Sequence, residues 1–221
     1  MKKTIIFAAV ALLASATLHA TDLGDTAPSL DIKEWIKGGP VKIEDGKGKN
    51  IYVVEFWATW CGPCRTSIPH LTEMAKKFKD KGVVFVGVSD EEAGVVKKFV
   101  EKMGDKMDYN VGIDGGKTSE GYMEAFGIGG IPHAFIVDKN GKLAWHGHPM
   151  AGLDKVLEEM IAGKYDLDAA KAKAAKAATG EKQQAEIQRK VNKLARAILD
   201  GKERSEEHTS ELQSPYVISY A

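Results

Sequence analysis

The sequence predicts an α/β domain in which helices flank a mixed central sheet, and three patterns predict it. Residues 51–58 and 83–88 are short, nearly unbroken apolar runs rich in β-branched and aromatic residues, as buried strands should be. Each run precedes a helical periodicity: Ile68, Leu71, Met74, Ala75 and Phe78 after the first, and Val95, Val96, Phe99, Val100 and Met103 after the second. Residues 134–137 and 143–146 then alternate around Asn140-Gly141, a strong hairpin signal. Strands alternating with helices, closed by a hairpin, describe a layered sandwich around one sheet.

In order, the chain opens on Lys2-Lys3, an apolar segment at 5–14 and small residues, the pattern of a secretory signal peptide over 1–20, cleaved after Ala16 or Ala20. The apolar run is short for a membrane span; a retained N-terminal anchor is the alternative. The mature chain is expected in the periplasm or otherwise exported, where disulfides persist. The domain itself is read over 21–164. Leu30-Asp31-Ile32 and Val41-Lys42-Ile43 alternate like short strands, with Gly38-Gly39-Pro40 as a turn between them. Ser89-Asp90-Glu91-Glu92 has the form of a capping box for the second helix, which stops at Gly104. Residues 109–113 make a short strand, and Asp114 or Thr118 caps a short helix containing Tyr122, Met123 and Phe126. Leu153, Val156, Leu157, Met160 and Ile161 mark a closing helix with Gly163 as its stop.

Residues 165–203 differ in kind. Ala, Lys, Glu and Gln dominate, broken by Thr179-Gly180, and Ile187, Val191, Leu194 and Ile198 form a narrow apolar stripe. A helical extension is expected, lying on its own domain or self-associating. From 204 to 221 the sequence resembles the in-frame translation of a sequencing-library adapter and is read as a non-native tail, with a genuine disordered tail as the competing reading.

The chain carries 31 basic and 31 acidic residues, and setting both ends aside removes three of each sign. A neutral chain has no bulk attraction to nucleic acid or to an anionic membrane. Neither is expected as a partner, nor is stable membrane insertion once the signal is cleaved.

The chemistry is read from the only two cysteines, Cys61 and Cys64, at the junction of the strand 51–58 and the helix after it. Unpaired N–H groups and the dipole at a helix start stabilise a thiolate. A low-pKa thiolate with a second sulfur in reach is what dithiol–disulfide exchange requires. Two plainer readings are weighed beside it. A structural disulfide closing so small a loop constrains the unfolded chain weakly. Half a zinc site lacks its second pair of ligands. No metal and no cofactor beyond the redox-active Cys61–Cys64 pair is expected.

The run Glu55-Phe56-Trp57-Ala58-Thr59-Trp60-Cys61-Gly62-Pro63-Cys64 resembles the active site of thioredoxin-like proteins. The stretch Gly129-Gly130-Ile131-Pro132-His133-Ala134-Phe135-Ile136-Val137-Asp138 resembles the same family's cis-proline loop and the strand after it. The wider pattern is similar to secreted thiol–disulfide oxidoreductases of the TlpA/ResA type. This resemblance implies a thioredoxin-like fold with an N-terminal β-hairpin and an inserted strand and helix within residues 90–128. Ser67 stands where many TlpA-type proteins have glutamate, His133 where a threonine is frequent, and Glu55 where thioredoxin has a buried aspartate.

The resemblance also implies roles. Cys61, nearest the helix start and the more exposed, attacks a partner disulfide; Cys64 resolves the mixed disulfide, leaving the pair oxidised. Gly62-Pro63 is thioredoxin's dipeptide, and thioredoxin lies near about −270 mV against about −120 mV for DsbA, so the expected direction is reduction. Glu55, raised in pKa by burial, is expected beneath Cys64 as its proton acceptor, against the plainer reading of a carboxylate reaching solvent at the sheet's edge. Trp60, Gly62, Pro63, Ile131 and Pro132 are expected to bind the substrate chain, with Trp57 packed beneath the site. His133 is expected either near the dithiol or in a packing role. Expected partners are disulfide-containing proteins, such as apocytochrome c or envelope proteins, and a membrane thiol electron donor of the DsbD/CcdA kind. The rivals are a disulfide oxidase or isomerase, and a non-catalytic thioredoxin-fold module capturing a partner, or copper at His146-Gly147-His148. A peroxidase is not suggested, because the cysteines form a pair rather than a lone peroxidatic residue.

Overall fold

The computed structural model describes residues 21–211, so the expected signal peptide and residues 212–221 lie outside the described residues. The strands are β1 (Ile32–Lys37), β2 (Ile51–Phe56), β3 (Val83–Ser89), β4 (Asn110–Asp114), β5 (His133–Val137) and β6 (Leu143–Gly147). Among the described residues they form one mixed sheet in the order β1–β4–β3–β2–β5–β6. β2, β3 and β4 run parallel, while β5 lies antiparallel to β2, β6 to β5, and β1 to β4. The helices of this unit are α1 (Gly62–Phe78), α2 (Ala93–Met103), α3 (Lys117–Ser119), which runs on into a π-helical turn at Glu120–Glu124, and α4 (Leu153–Ile161). α2, β4 and α3 fill the space expected for the inserted element.

Alternation along β2 builds two cores, one on each face of the sheet. Val53 packs with Ile68, Leu71 and Phe78 of α1, with Ala134 and Ile136 of β5, and with Leu153 and Leu157 of α4. Tyr52, Val54 and Phe56 pack on the opposite face with Val86, Val88, Tyr122 and Phe135. Each large apolar side chain removed from water contributes about 1.5–3 kcal/mol. α1 keeps its course although Pro69 lies inside it and removes the N–H that would bond the Arg65 carbonyl. At the β5–β6 turn, Gly141 takes φ +76°, and the Asp138 carboxylate accepts the N–H groups of Asn140 and Lys142, both at 2.8 Å.

Three details correct the sequence reading. The N-terminal β-hairpin does not form: only 32–37 becomes a strand, because it finds the open side of β4, with Trp35 opposite Gly112. Residues 41–43 instead lead into a 3-10 turn, with Ile43 buried in the second core and the Lys42 carbonyl accepting the Tyr52 hydroxyl. The capping box is not realised either. Ser89 still belongs to β3, Glu92 is the N-cap of α2, and no side-chain cap bond is made there among the described residues. Thirdly, Thr179-Gly180 does not break the extension.

The chain divides into two compact units at 167/168. The second is carried by one helix, α5 (Leu167–Glu211). Strong helix formers sustain it, and the Thr179 hydroxyl donates to the Ala175 carbonyl one turn back instead of interrupting it. Ile187, Val191, Leu194 and Ile198 are exposed. Among the described residues no helix is long and apolar enough to cross a membrane.

Candidate active site

β2 ends at Phe56, and the chain turns before α1 with the Cys61 N–H donating to the Ala58 carbonyl at 3.2 Å. Cys61 is the N-cap of α1, with extended backbone, and Pro63 occupies the first turn, where a missing N–H costs no helical bond. The Cys64 N–H donates to Cys61 Sγ at 3.1 Å. The two sulfurs form a disulfide across a Cα–Cα distance of 5.2 Å. Cys64 is fully buried and Cys61 is 4% exposed, while Gly62 and Pro63 are exposed and Trp60 is 71% exposed. Once the disulfide opens, the helix N-terminus and the Cys64 N–H both favour negative charge on Cys61 Sγ. No comparable donor faces Cys64 Sγ among the described residues.

Glu55 lies on β2, on the face of Val53 and α1, and is 1% exposed. Its strand is central, so the reading of a carboxylate reaching solvent at the sheet's edge does not hold. The Tyr109 hydroxyl donates to Oε2 at 3.0 Å, and Oε1 has no hydrogen-bond partner among the described residues. Burial pushes the Glu55 carboxyl up to about 8; the Tyr109 hydroxyl and nearby Ser67 pull the other way. The Ser67 hydroxyl also donates to the Cys64 carbonyl at 3.0 Å. Ser67 thereby ties Glu55's surroundings to the resolving cysteine. Burial and the facing carboxylate in turn hold the Tyr109 hydroxyl protonated.

Trp57 is buried and packs on Phe99 with ring centroids 5.3 Å apart. Gly87 makes room for it: a Cβ there would lie 3.0 Å from both Trp57 Nε1 and the Tyr109 ring. The Ile131–Pro132 bond is cis, Pro132 is buried, and Ile131 packs against the cluster that contains both cysteines.

His133 goes elsewhere. It follows the parity of Phe135, on the face opposite Ala134 and Glu55, so its side chain does not face the dithiol. Its Nε2 lies 3.1 Å from His146 Nδ1, one ring donating and the other accepting, and the rings stack at 5.3 Å. Burial first, then His146 and His148, pull His133 down to about 4. The folded state thus prefers neutral His133, and this contribution is fully present above about pH 6.5 and lost as pH falls through about 4. In thermal unfolding, the stability of the wild type relative to His133→Phe should fall as pH drops from 7 to 4. Among the described residues no group of three or more His, Cys, Asp or Glu side chains is placed to hold a metal. The His146-Gly147-His148 copper reading gains no further ligand.

A model of the AhpC/TSA family matches residues 23–146, a span that contains both cysteines, Glu55 and Pro132. The chain belongs to the AhpC/TSA family. It is 34% identical to the thiol-disulfide oxidoreductase ResA of Bacillus anthracis over 122 residues, 55% of this chain and 66% of that protein. It therefore spans just under two-thirds of that relative's length. It is 30% identical to Protein FixW of Rhizobium leguminosarum over 154 residues, 65% of this chain and 68% of that one. Among solved structures, the thioredoxin domain of a thiol-disulfide oxidoreductase from Bacteroides vulgatus matches with TM-score 0.55 and 30% identity, covering 64% of this chain and 99% of that chain. A thiol:disulfide interchange protein from Bacteroides sp. matches with TM-score 0.55 and 28% identity, covering 65% and 93%. The resemblance read from residues 55–64 and 129–138 is thereby borne out, and the fold is thioredoxin-like.

Two residues of this AhpC/TSA chain that sequence reasoning passed over stand at the site. Tyr109 read only as part of a short strand, although an aromatic hydroxyl beside a buried carboxyl is the partner such a carboxyl needs. Glu91 read as part of a helix cap, and its carboxylate instead binds the turn before Cys61.

Proposed function

We propose that this chain is an exported thiol–disulfide oxidoreductase that reduces disulfides in partner proteins. The observation that carries the proposal is the placement of Cys61 Sγ at the start of α1, accepting the Cys64 N–H and bonded to Cys64. In the reduced protein, Cys61 thiolate attacks one sulfur of a partner disulfide, and the other sulfur leaves as a thiolate. Cys64 then loses its proton, attacks Cys61 Sγ and expels the partner's second thiolate; two electrons pass to the partner and Cys61–Cys64 is oxidised. Glu55, with its carboxyl raised to about 8, matches a thiol's ordinary value near 8.5 closely enough to take the Cys64 proton. Trp60 offers an exposed apolar surface, and Ile131, in the loop before β5, offers its backbone to an extended segment of the partner chain.

Gly62-Pro63 supports the reductive direction, and the names of the ResA and interchange-protein relatives support the chemistry. Apocytochrome c thiols and misfolded envelope proteins are the proposed substrates, and a membrane thiol donor of the DsbD/CcdA kind is the proposed source of electrons. The test is insulin reduction with dithiothreitol as the recycling reductant. Wild type should accelerate precipitation of the insulin B chain; a rate equal to dithiothreitol alone would remove the reading.

A further inference from the structure

The turn that delivers Cys61 is held by a residue from another loop. After the Trp57 N–H donates to the Val88 carbonyl at 3.1 Å, the chain leaves the β2–β3 ladder, and residues 58–61 continue without a strand beside them. Glu91, in the loop between β3 and α2, supplies the missing partner. The Thr59 N–H donates to Glu91 Oε2 at 2.6 Å, and the Thr59 hydroxyl donates to Glu91 Oε1 at 2.7 Å. The Ser89 hydroxyl lies 3.3 Å from Oε2 and also 3.3 Å from the Glu91 N–H, fixing the carboxylate from behind. Ser89 is buried and Glu91 is half-buried, so the bonds are sheltered from water. Charge-assisted bonds to a carboxylate are short and directional, and these two grip one residue at two points.

Thr59 is followed by Trp60, 71% exposed, and then by Cys61, the N-cap of α1. We infer that Glu91 is a positioning residue that clamps the Thr59–Cys61 turn, fixing Trp60 and Cys61 Sγ relative to the end of the sheet so that a partner disulfide is met in register. The inference rests on the oxidoreductase reading and adds to it a residue outside the cysteine motif. Glu91 takes no proton and no electron in either exchange step; it sets where the attacking sulfur and its neighbouring indole stand. A displacement of about 1 Å at a reacting centre can cost on the order of a hundredfold in rate, so such a clamp is felt in catalysis.

The experiment combines kinetics with amide exchange. In Glu91→Ala, insulin kcat/KM should fall about tenfold, carried mainly by KM, because the docking surface loses its fixed position. Glu91→Gln should recover part of the loss, since its amide can accept from the Thr59 N–H and donate to the Thr59 hydroxyl oxygen. Thr59→Val, which loses one of the two bonds, should fall between them, and Glu91→Ala/Thr59→Val should be no worse than Glu91→Ala alone. The Thr59 amide should exchange with solvent about tenfold faster in Glu91→Ala than in wild type. Unchanged KM in Glu91→Ala, or losses that multiply in the double variant, would overturn the inference. Should wild type itself leave insulin unreduced, the oxidoreductase reading falls. The exchange rate at Thr59 still decides the clamp: faster exchange in the variant upholds it and equal exchange removes it.

Discussion

Replacing Cys61 with serine should reduce insulin turnover to the background rate of dithiothreitol, while replacing Cys64 with serine should stall the protein as a mixed disulfide on Cys61. The difference follows from position. Cys61 Sγ caps α1 and receives the Cys64 N–H, so it is the sulfur whose thiolate the fold stabilises. Without it, the remaining thiol of Cys64 is fully buried and reaches no partner. With Cys61 intact and Cys64 absent, the first exchange proceeds and the mixed disulfide has no internal thiol to resolve it. Mass spectrometry of Cys64→Ser incubated with a disulfide-bonded peptide should find a one-to-one adduct on Cys61, and Cys61→Ser should give none. Adducts on Cys64 in Cys61→Ser, with none on Cys61 in Cys64→Ser, would reverse the assigned roles.

Glu55→Gln has the second large effect, and it acts on stability and on rate in opposite senses. Burial raises the Glu55 carboxyl from its ordinary value of 4.5 to about 8 in the folded protein. Between these values the unfolded chain releases the proton and the folded chain keeps it. The stability due to neutral Glu55 is therefore complete below about pH 4.5, falls as pH rises, and is lost by about pH 8. The span corresponds to a loss on the order of 5 kcal/mol. Glutamine cannot ionise, so the stability of Glu55→Gln relative to the wild type should rise between pH 5 and 8, as read by denaturant unfolding of the oxidised protein; below about pH 6.5 the opposite slope from His133 offsets the fall in the wild type itself. Its resolving step should slow, and the wild-type rise in that rate near pH 8 should vanish. A variant with the wild-type pH profile for both quantities would take Glu55 out of the mechanism. Tyr109→Phe removes the bond to Oε2 and should move the same midpoint upward, since that hydrogen bond favours the ionised form.

What was legible in the sequence was whatever local pattern determines. The apolar runs at 51–58 and 83–88 became β2 and β3 because strands covered on both faces leave no place for polar residues. The Cys61–Cys64 spacing put one sulfur at the helix cap and the other one turn inside, and Asn140-Gly141 gave its turn. The lone carboxylate in an apolar run marked Glu55. The errors came where a partner far along the chain decides. Residues 41–43 alternate like a strand but pair with nothing in the sheet, whereas 32–37 finds β4 almost 80 residues later. Ser89 and Glu92 have capping-box spacing, yet β3 extends through Ser89, and the neighbouring Glu91 turns away to Thr59, 32 residues earlier. Of the two readings open for His133 the packing one holds, because strand parity sends its ring to the face of Phe135 and His146. Tyr109 meets Glu55 across 54 residues, a pairing visible only once β4 lies beside β3.

The central claim, that Cys61 and Cys64 deliver electrons to other proteins' disulfides, is tested most directly by the reduction potential of the pair. Equilibration in dithiothreitol or glutathione buffers, followed by the fluorescence of Trp57 and Trp60, measures it. A value near about −270 mV is predicted, within the range of a reductant that depends on a dedicated donor. A value near about −120 mV would contradict the account and make this chain an oxidant of its partners.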